Sequence, residues 1–207
     1  ELNTANLALN SRIEMLEARL RANEALLQKA QKLLDIVSVN DDGDVVITGA
    51  NLYIQNGTGT TDGFKDSIDD WFPSNGKGNI IIGYNEPPLE SIQVKTGSHN
   101  LILGKRNSYS SASGIVNGHH NHLDANFSSI LGGAGNKIDD QAIGSVIVSG
   151  FGNHIHTKSE SAILGGEKNT ITAYYATICG GANVSLNYDS TVKLGTPYMD
   201  STGHIND

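Results

Sequence analysis

The feature that most constrains this chain is a repeat in its last two thirds. Five asparagines recur at intervals of 14 to 17 residues, and a glycine lies three positions before each of them. These glycine and asparagine pairs form a predicted turn ladder: Gly104 with Asn107, Gly118 with Asn121, Gly133 with Asn136, Gly150 with Asn153, and Gly166 with Asn169. Apolar residues stand six and five positions before each asparagine, and one stands two positions after it. A repeat of this length predicts a stacked solenoid.

Each copy has two short apolar patches, which predicts a turn of two strands joined by two tight turns. We expect glycine and asparagine to supply the left-handed backbone of those turns. About seven copies fit between residues 78 and 195, and at about 4.8 Å per copy they give a column of roughly 34 Å. Adjacent apolar residues such as Ile130 and Leu131 cannot both point inward. One column would therefore expose an apolar face, which predicts that three columns pack together.

The N-terminal segment independently predicts that three chains associate. Residues 2–34 carry a heptad without Gly or Pro, and leucine or isoleucine holds most of its core positions. The core positions are Leu2, Asn6, Leu9, Ile13, Leu16, Leu20, Asn23, Leu27, Ala30 and Leu34. This 3.5-residue period is typical of a left-handed coiled coil, and leucine at the a positions favours three strands. Residues 1–35 are therefore a predicted parallel trimeric stalk.

Asn23 interrupts the heptad at a d position. One interpretation is a polar residue that sets the register of the helices at some cost in stability. The other, implied by a resemblance to the stalks of trimeric surface adhesins, is a ring of three asparagine amides around a buried anion. No other cofactor is expected.

Residues 36–77 predict a β-rich neck followed by a capping or loop segment, and residues 196–207 a tail. Two β-branched runs flank the turn Asn40–Asp44, which predicts a hairpin rather than a calcium loop. Trp71 and Phe72, next to Asp69 and Asp70, form the candidate ligand-contact loop. An aromatic ring beside carboxylates suits a sugar, but a plug over the open end of the solenoid is the competing interpretation.

Several function classes are disfavoured by composition. The formal charge of −8 without a Lys/Arg cluster argues against nucleic acid as a partner, and a single cysteine argues against a Cys-based zinc site. No apolar run is long enough for a membrane span, and Glu1 suggests a mature or truncated fragment. Adjacent carboxylates such as Asp139 and Asp140 point apart on a strand. We therefore expect no catalytic residues and no enzyme activity.

The spacing of the histidines in the sequence predicts no metal site within one chain. His122 and His154 share a repeat column, but two turns separate them by roughly 10 Å, which is too far for one zinc ion. Solvated turn histidines are the expected state, and a metal site between chains is left as an alternative.

Two repeats resemble the heads of trimeric autotransporter adhesins: Ser-Ile-Leu-Gly-Gly-Ala-Gly-Asn (129–136) and Ala-Ile-Leu-Gly-Gly-Glu-Lys-Asn-Thr-Ile (162–171). Segments 78–86 and 96–104 resemble related exported bacterial surface proteins that bear repeats. The resemblance covers about residues 45–185. It implies a trimeric, left-handed parallel β-roll head beside a coiled-coil stalk, placed outside the cell on a bacterium or a phage-like particle.

The expected fold is therefore mainly β with an N-terminal helix, assembled as a parallel homotrimer of coiled-coil stalk and β-solenoid head. The expected function is a homotrimeric surface fibre for display or attachment, whose partners are other copies of the chain and a cell-surface glycan or protein receptor. The alternatives are the receptor-binding tip of a phage or phage-like tail fibre, a subunit of an extracellular filament, and a trimeric polysaccharide depolymerase.

Overall fold

A computed structural model describes residues 2–63, 73–87, 93–156 and 160–195, together with the backbone of residues 198–199 and 205–206. Contacts divide the chain into two compact units, Glu1–Tyr53 and Ile54–Asp207. The described residues are mainly β, with one N-terminal helix and a parallel β-solenoid. This confirms the predicted fold class at the level of a single chain.

The first unit contains a long helix and a hairpin. Helix α1 spans Leu2–Leu34, and strands β1 (Val37–Val39) and β2 (Val45–Ile47) pair antiparallel. The turn between them is closed by the Asn40 side chain, whose Oδ1 accepts the Asp44 N–H at 2.8 Å, and by Gly43 at φ +87°. The hairpin predicted from the β-branched runs is therefore present.

The second unit contains two parallel sheets that face each other across one core. The first sheet has eight strands and the second has six, so the solenoid makes about six complete turns, which we call rungs. The first sheet consists of β3 (Ile80–Ile82), β4 (Leu101–Lys105), β6 (Ile115–His119), β8 (Ser129–Ile130), β10 (Val146–Ile147), β12 (Ala162–Ile163), β14 (Thr177–Ile178) and β16 (Val192–Lys193). The second consists of β5 (Ser108–Tyr109), β7 (His122–Leu123), β9 (Lys137–Ile138), β11 (His154–Ile155), β13 (Thr170–Ile171) and β15 (Ser185–Leu186).

The last described strands, β17 (Tyr198–Met199) and β18 (Ile205–Asn206), form an antiparallel pair in the segment expected to be a tail.

The core is two stacked columns of buried side chains, one from each sheet. The column of the second sheet contains the residue two positions after each repeat asparagine, as the spacing predicted: Tyr109, Leu123, Ile138, Ile155 and Ile171, followed by Leu186. The facing column contains Ile102, Val116, Ile130, Ile147, Ile163 and Ile178. Its next position is Lys193, and this charged residue ends the apolar stack.

When the copies are aligned on their asparagines, the strand pairing in the first sheet is offset by one residue in two of them. Ile102 and Val116 lie five positions before their asparagines, yet they stack on Ile130, which lies six positions before its own. The later copies carry one extra residue between strand and asparagine, as at Gly132. Backbone pairing keeps the inward side chains aligned despite this extra residue. Beyond it, His119 pairs with Ala134, and both lie two positions before their asparagines, so the copies are again in step.

Candidate functional site

The outward face of the first sheet is apolar. Residues on either side of each buried core position point away from the core, because side chains alternate along a strand. Leu131, Val148 and Leu164 stand there with 42%, 38% and 45% of their surface exposed. From β4 to β16 this apolar face consists of Leu101, Leu103, Ile115, Leu131, Val146, Val148, Ala162, Leu164, Cys179, Val192 and Leu194, interrupted by Asn117, Ser129 and Thr177.

The outward face of the second sheet has the opposite character. Every position that flanks its buried column is polar or charged. This polar face consists of Ser108, Ser110, His122, Asp124, Lys137, Asp139, His154, His156, Thr170, Thr172, Ser185 and Asn187. Two sheets of the same solenoid therefore present surfaces suited to different environments, one to protein contact and one to water.

The helix of the first unit also presents an unpartnered apolar surface. None of the residues of α1 is buried, although leucine or isoleucine holds most core positions of the heptad. Leu27, at an a position, is 70% exposed. Asn23 lies on this same exposed helix, so its role as a register-setting residue or an anion ligand stays a prediction. Most helical stability in proteins comes from packing of an amphipathic face, and this face is not buried by any of the residues that the structure describes.

The repeat asparagines form a continuous buried hydrogen-bonded ladder. The side-chain Oδ1 of each accepts the backbone N–H of the next, for example from Asn153 to Asn136 at 3.0 Å. The side-chain Nδ2 donates to a carbonyl of its own rung and to a glycine carbonyl of the next, as from Asn136 to Gly132 at 3.2 Å and to Gly150 at 3.0 Å. The ladder begins one rung earlier than the spacing indicated, at Asn85.

The repeat glycines stand beside this ladder at positive φ. A Cβ on Gly150 would lie 2.2 Å from the Gly166 carbonyl oxygen, closer than any side chain tolerates. Asn85, at the start of the ladder, has φ +41°, but the five repeat asparagines do not adopt the left-handed conformation we expected of them. The residue before each one does: Arg106, His120, Gly135, Gly152 and Lys168. An asparagine amide is needed here for its paired donor and acceptor instead.

A second buried ladder was missed by the sequence analysis. Ser128 Oγ accepts the Ser145 N–H, and Ser145 Oγ accepts the Ser161 N–H, both at 3.1 Å. All three serines are buried, and each lies two positions before an inward isoleucine of the first sheet. That constant offset was visible in the sequence and could have identified the ladder.

The candidate ligand-contact loop, in the segment 36–77, lies outside the described residues. This applies to Asp69, Asp70, Trp71 and Phe72. The described part of that segment folds against His99, whose Nδ1 donates to the Thr61 carbonyl at 2.9 Å and whose Nε2 accepts the Asn56 N–H at 3.2 Å. A shallow cavity of about 300 Å³ opens beside the ring, lined by Gln55, Asn56, Gly57, Gly59, Thr60, Thr61 and His99.

The histidines from His119 to His156 lie in two environments. His119 and His120 lie in a corner of the solenoid with Lys105 and Arg106, and burial together with those two charges lowers the pKa of His119. Its Nε2 is buried and has no hydrogen-bond partner among the described residues. His122, by contrast, lies on the polar face and contacts Asp124, with 3.0 Å between Nε2 and Oδ2.

Asp139 gathers three nitrogen atoms around one carboxylate on the polar face. Its Oδ2 lies 2.9 Å from His154 Nε2 and 3.2 Å from His156 Nδ1, and its Oδ1 lies 2.6 Å from Lys137 Nζ.

Burial opposes ionisation of Asp139, but the hydrogen bond from Lys137 and the nearby His154 outweigh it and lower the pKa of the carboxyl. Burial also lowers the pKa of His154, and the Asp139 carboxylate offsets only part of that effect. The adjacent Asp140 is exposed, so the pair Asp139–Asp140 does not converge on one point.

The repeat spacing placed His122 and His154 in one column, and the structure stacks them on either side of Lys137. It did not bring Asp139, His154 and His156 together. The signal was present: Asp124, Asp139 and His156 all lie three positions after a ladder asparagine, so they occupy one column.

Comparison with known proteins adds no family assignment: no protein-family profile, curated protein or solved structure matches this chain. Among the described residues, no helix combines the length and the apolar character needed to cross a membrane.

Proposed function

We propose that the chain is part of an extracellular homotrimeric fibre that serves display or attachment and carries out no catalysis. In this proposal α1 forms a parallel three-stranded coiled coil, and three solenoids pack through their apolar faces. The chain then uses its polar faces and loops to contact a cell-surface glycan or protein receptor. Three copies held together would raise the avidity of contacts that are individually weak.

The observation that carries the proposal is the contrast between the two outward faces of the solenoid. From β4 to β16, eleven of the fourteen flanking positions on the first sheet are apolar, whereas all twelve on the second sheet are polar. Burying a half-exposed leucine contributes about 1 kcal/mol. A row of such side chains is a strong driving force for association and a poor surface to leave in water.

The heptad of α1 supports the same assembly from a separate unit of the chain. Arg12 with Glu17, and Arg19 with Glu24, stand at g and following e positions. Opposite charges at these positions favour parallel helices in register. Parallel helices would bring three identical solenoids to the same end of the assembly, as the apolar faces require.

The test is the oligomeric state of the full chain and of charge variants on each surface. Leu131→Asp combined with Leu164→Asp places charges on the apolar face, and Thr170→Asp with Thr172→Asp is the matched change on the polar face. In the helix, Leu20→Lys changes an a position, and Ala22→Lys changes an outward c position.

The proposal predicts that the variants of the apolar face and of the heptad a position dissociate the trimer or shift its formation to higher protein concentration. The variants of the polar face and of the c position are predicted to remain trimeric. Equal behaviour of the two sets in sedimentation velocity would contradict the assigned interface. Glycan-array and cell-binding assays with the intact trimer then test attachment, and release of reducing ends from a bound glycan would contradict the absence of catalysis.

A further inference from the structure

The most concentrated group of ligating side chains lies on the polar face, away from the surface assigned to assembly. His154 begins strand β11 and His156 directly follows it, so the two flank the buried Ile155 and their imidazoles leave the sheet on the same side. Lys137 stacks directly against His154, which brings Asp139 of the neighbouring rung beside His156. The group thus joins two rungs that are separated by a 14-residue connection, residues 140–153.

The three side chains converge on a single point. The two imidazole rings lie 3.6 Å apart, centre to centre, and are tilted by 32°. One ligand atom from each of Asp139, His154 and His156 falls within 4.8 Å of the other two.

A tetrahedral zinc ion bound at about 2.0–2.1 Å holds two of its ligand atoms about 3.3 to 3.4 Å apart. Asp139 Oδ2 lies 2.9 Å from His154 Nε2 and 3.2 Å from His156 Nδ1, so a small outward movement of the two imidazoles would admit the ion.

Lys137 completes the surroundings of the carboxylate. Its Nζ contacts Oδ1 of Asp139, while both imidazoles face Oδ2. Such a partner fixes a ligating carboxylate and leaves one oxygen for a metal, as second-shell groups do in metal sites. The ammonium charge opposes a cation, but the Lys137 side chain is 42% exposed and can turn towards water.

We propose that Asp139 Oδ2, His154 Nε2 and His156 Nδ1 bind one divalent transition-metal ion, with Zn²⁺ as the reference ion. Two imidazole nitrogens and one carboxylate oxygen suit zinc, nickel, cobalt or copper, whereas magnesium and calcium require oxygen ligands. Three protein ligands leave a further position for water or for a donor atom of a bound partner. The ion also ties two rungs together, so binding stabilises the solenoid.

The same face contains an internal control. His122 and Asp124 form an imidazole–carboxylate pair two rungs from His154, and only one imidazole is present there. His122→Ala therefore removes a histidine of the same face and similar exposure without changing the proposed ligands. Cys179 is a free thiol that could bind zinc on its own, so all proteins are compared in the Cys179→Ser background.

The experiment is titration of tag-free protein with ZnCl₂ by isothermal calorimetry, with MgCl₂ as the comparison salt. Circular dichroism first verifies that each variant is folded. The expected result is one zinc ion per chain, no response to magnesium, and affinity at least about tenfold weaker in both His154→Ala and His156→Ala. His122→Ala is expected to bind as the parent protein does.

A second readout distinguishes a built site from adventitious binding. Stoichiometric zinc is expected to raise the thermal midpoint of the parent protein and of His122→Ala, and to leave that of folded His154→Ala and His156→Ala unchanged. The proposal is overturned if the parent protein binds no zinc, if His154→Ala and His156→Ala retain parental affinity, or if His122→Ala loses affinity to the same degree.

Discussion

Removing one amide from the asparagine ladder should weaken the whole solenoid. Asn136 is fully buried, and its side chain makes three hydrogen bonds, to Asn153 N–H, Gly132 O and Gly150 O. Asn136→Ala removes all three. The Gly150 carbonyl keeps another donor, the Ala134 N–H, whereas the Asn153 N–H loses its side-chain acceptor within the core.

The expected cost follows from these contacts. Each of the two hydrogen bonds that the amide donates costs about 1 kcal/mol when it is lost. The buried Asn153 N–H, left without an acceptor, costs about 1–3 kcal/mol. The sum is about 3 to 5 kcal/mol in the free energy of unfolding. Because a domain is stable by only about 5–15 kcal/mol, this is a large fraction of the total.

Urea unfolding followed by circular dichroism measures this change, at one fixed chain concentration because the free energy of an oligomer depends on concentration. Asn187→Ala is the control, since Asn187 is an exposed residue on the polar face and its loss should cost less than about 0.5 kcal/mol. Equal unfolding midpoints for Asn136→Ala and Asn187→Ala would refute the argument that the ladder supports the fold.

Three further results are expected. Gly150→Ala should destabilise by at least about 2 kcal/mol, because the new Cβ meets the next rung and φ is +105°. Gly165→Ala, where no atom lies within 4 Å and φ is not positive, should be close to neutral in the same urea assay. Burial favours the neutral acid of Asp124, but hydrogen bonds from His122 and Ser110 outweigh it and lower its pKa. Its ionised form therefore contributes stability above about pH 5 that is lost on acidification, so Asp124→Asn should lose less stability than the parent between about pH 5 and pH 3. Asn23→Leu should raise the midpoint of thermal unfolding of the helix, because a polar residue at a core heptad position costs stability, and a lowered midpoint would instead favour the anion ring.

Regular spacing made the secondary structure and the second-sheet column predictable. The heptad delimits α1, and the position two after each asparagine is buried in every copy. The residues of the first-sheet column were predicted less accurately, because aligning the copies on their asparagines ignores the extra residue at Gly132. Hydrogen bonding between rungs sets that register, and it depends on backbone geometry that the spacing to the asparagine does not report.

The role of asparagine was predicted for the wrong physical reason. Its frequency suggested left-handed turns, yet residues such as Arg106, His120 and Lys168 adopt positive φ while the ladder asparagines bond between rungs. A short amide is the side chain that can both accept from one rung and donate to another, which explains its recurrence.

The cluster at Asp139 required the register between adjacent strands. Asp139 and His156 are 17 residues apart in the sequence, and only the stacking of β9 on β11 places them side by side. The side-chain rotations that bring both imidazoles to one carboxylate oxygen carry no signature in the sequence.

The solution mass of the full chain, measured by light scattering at low micromolar concentration, tests the central claim most directly. The account predicts a mass near three times the 21.9 kDa of one chain. We propose three chains because leucine at most a positions of the heptad favours three strands, and the apolar face of the solenoid would pack within the same assembly. A mass near 21.9 kDa would contradict the assembly and leave the apolar face and the heptad unexplained.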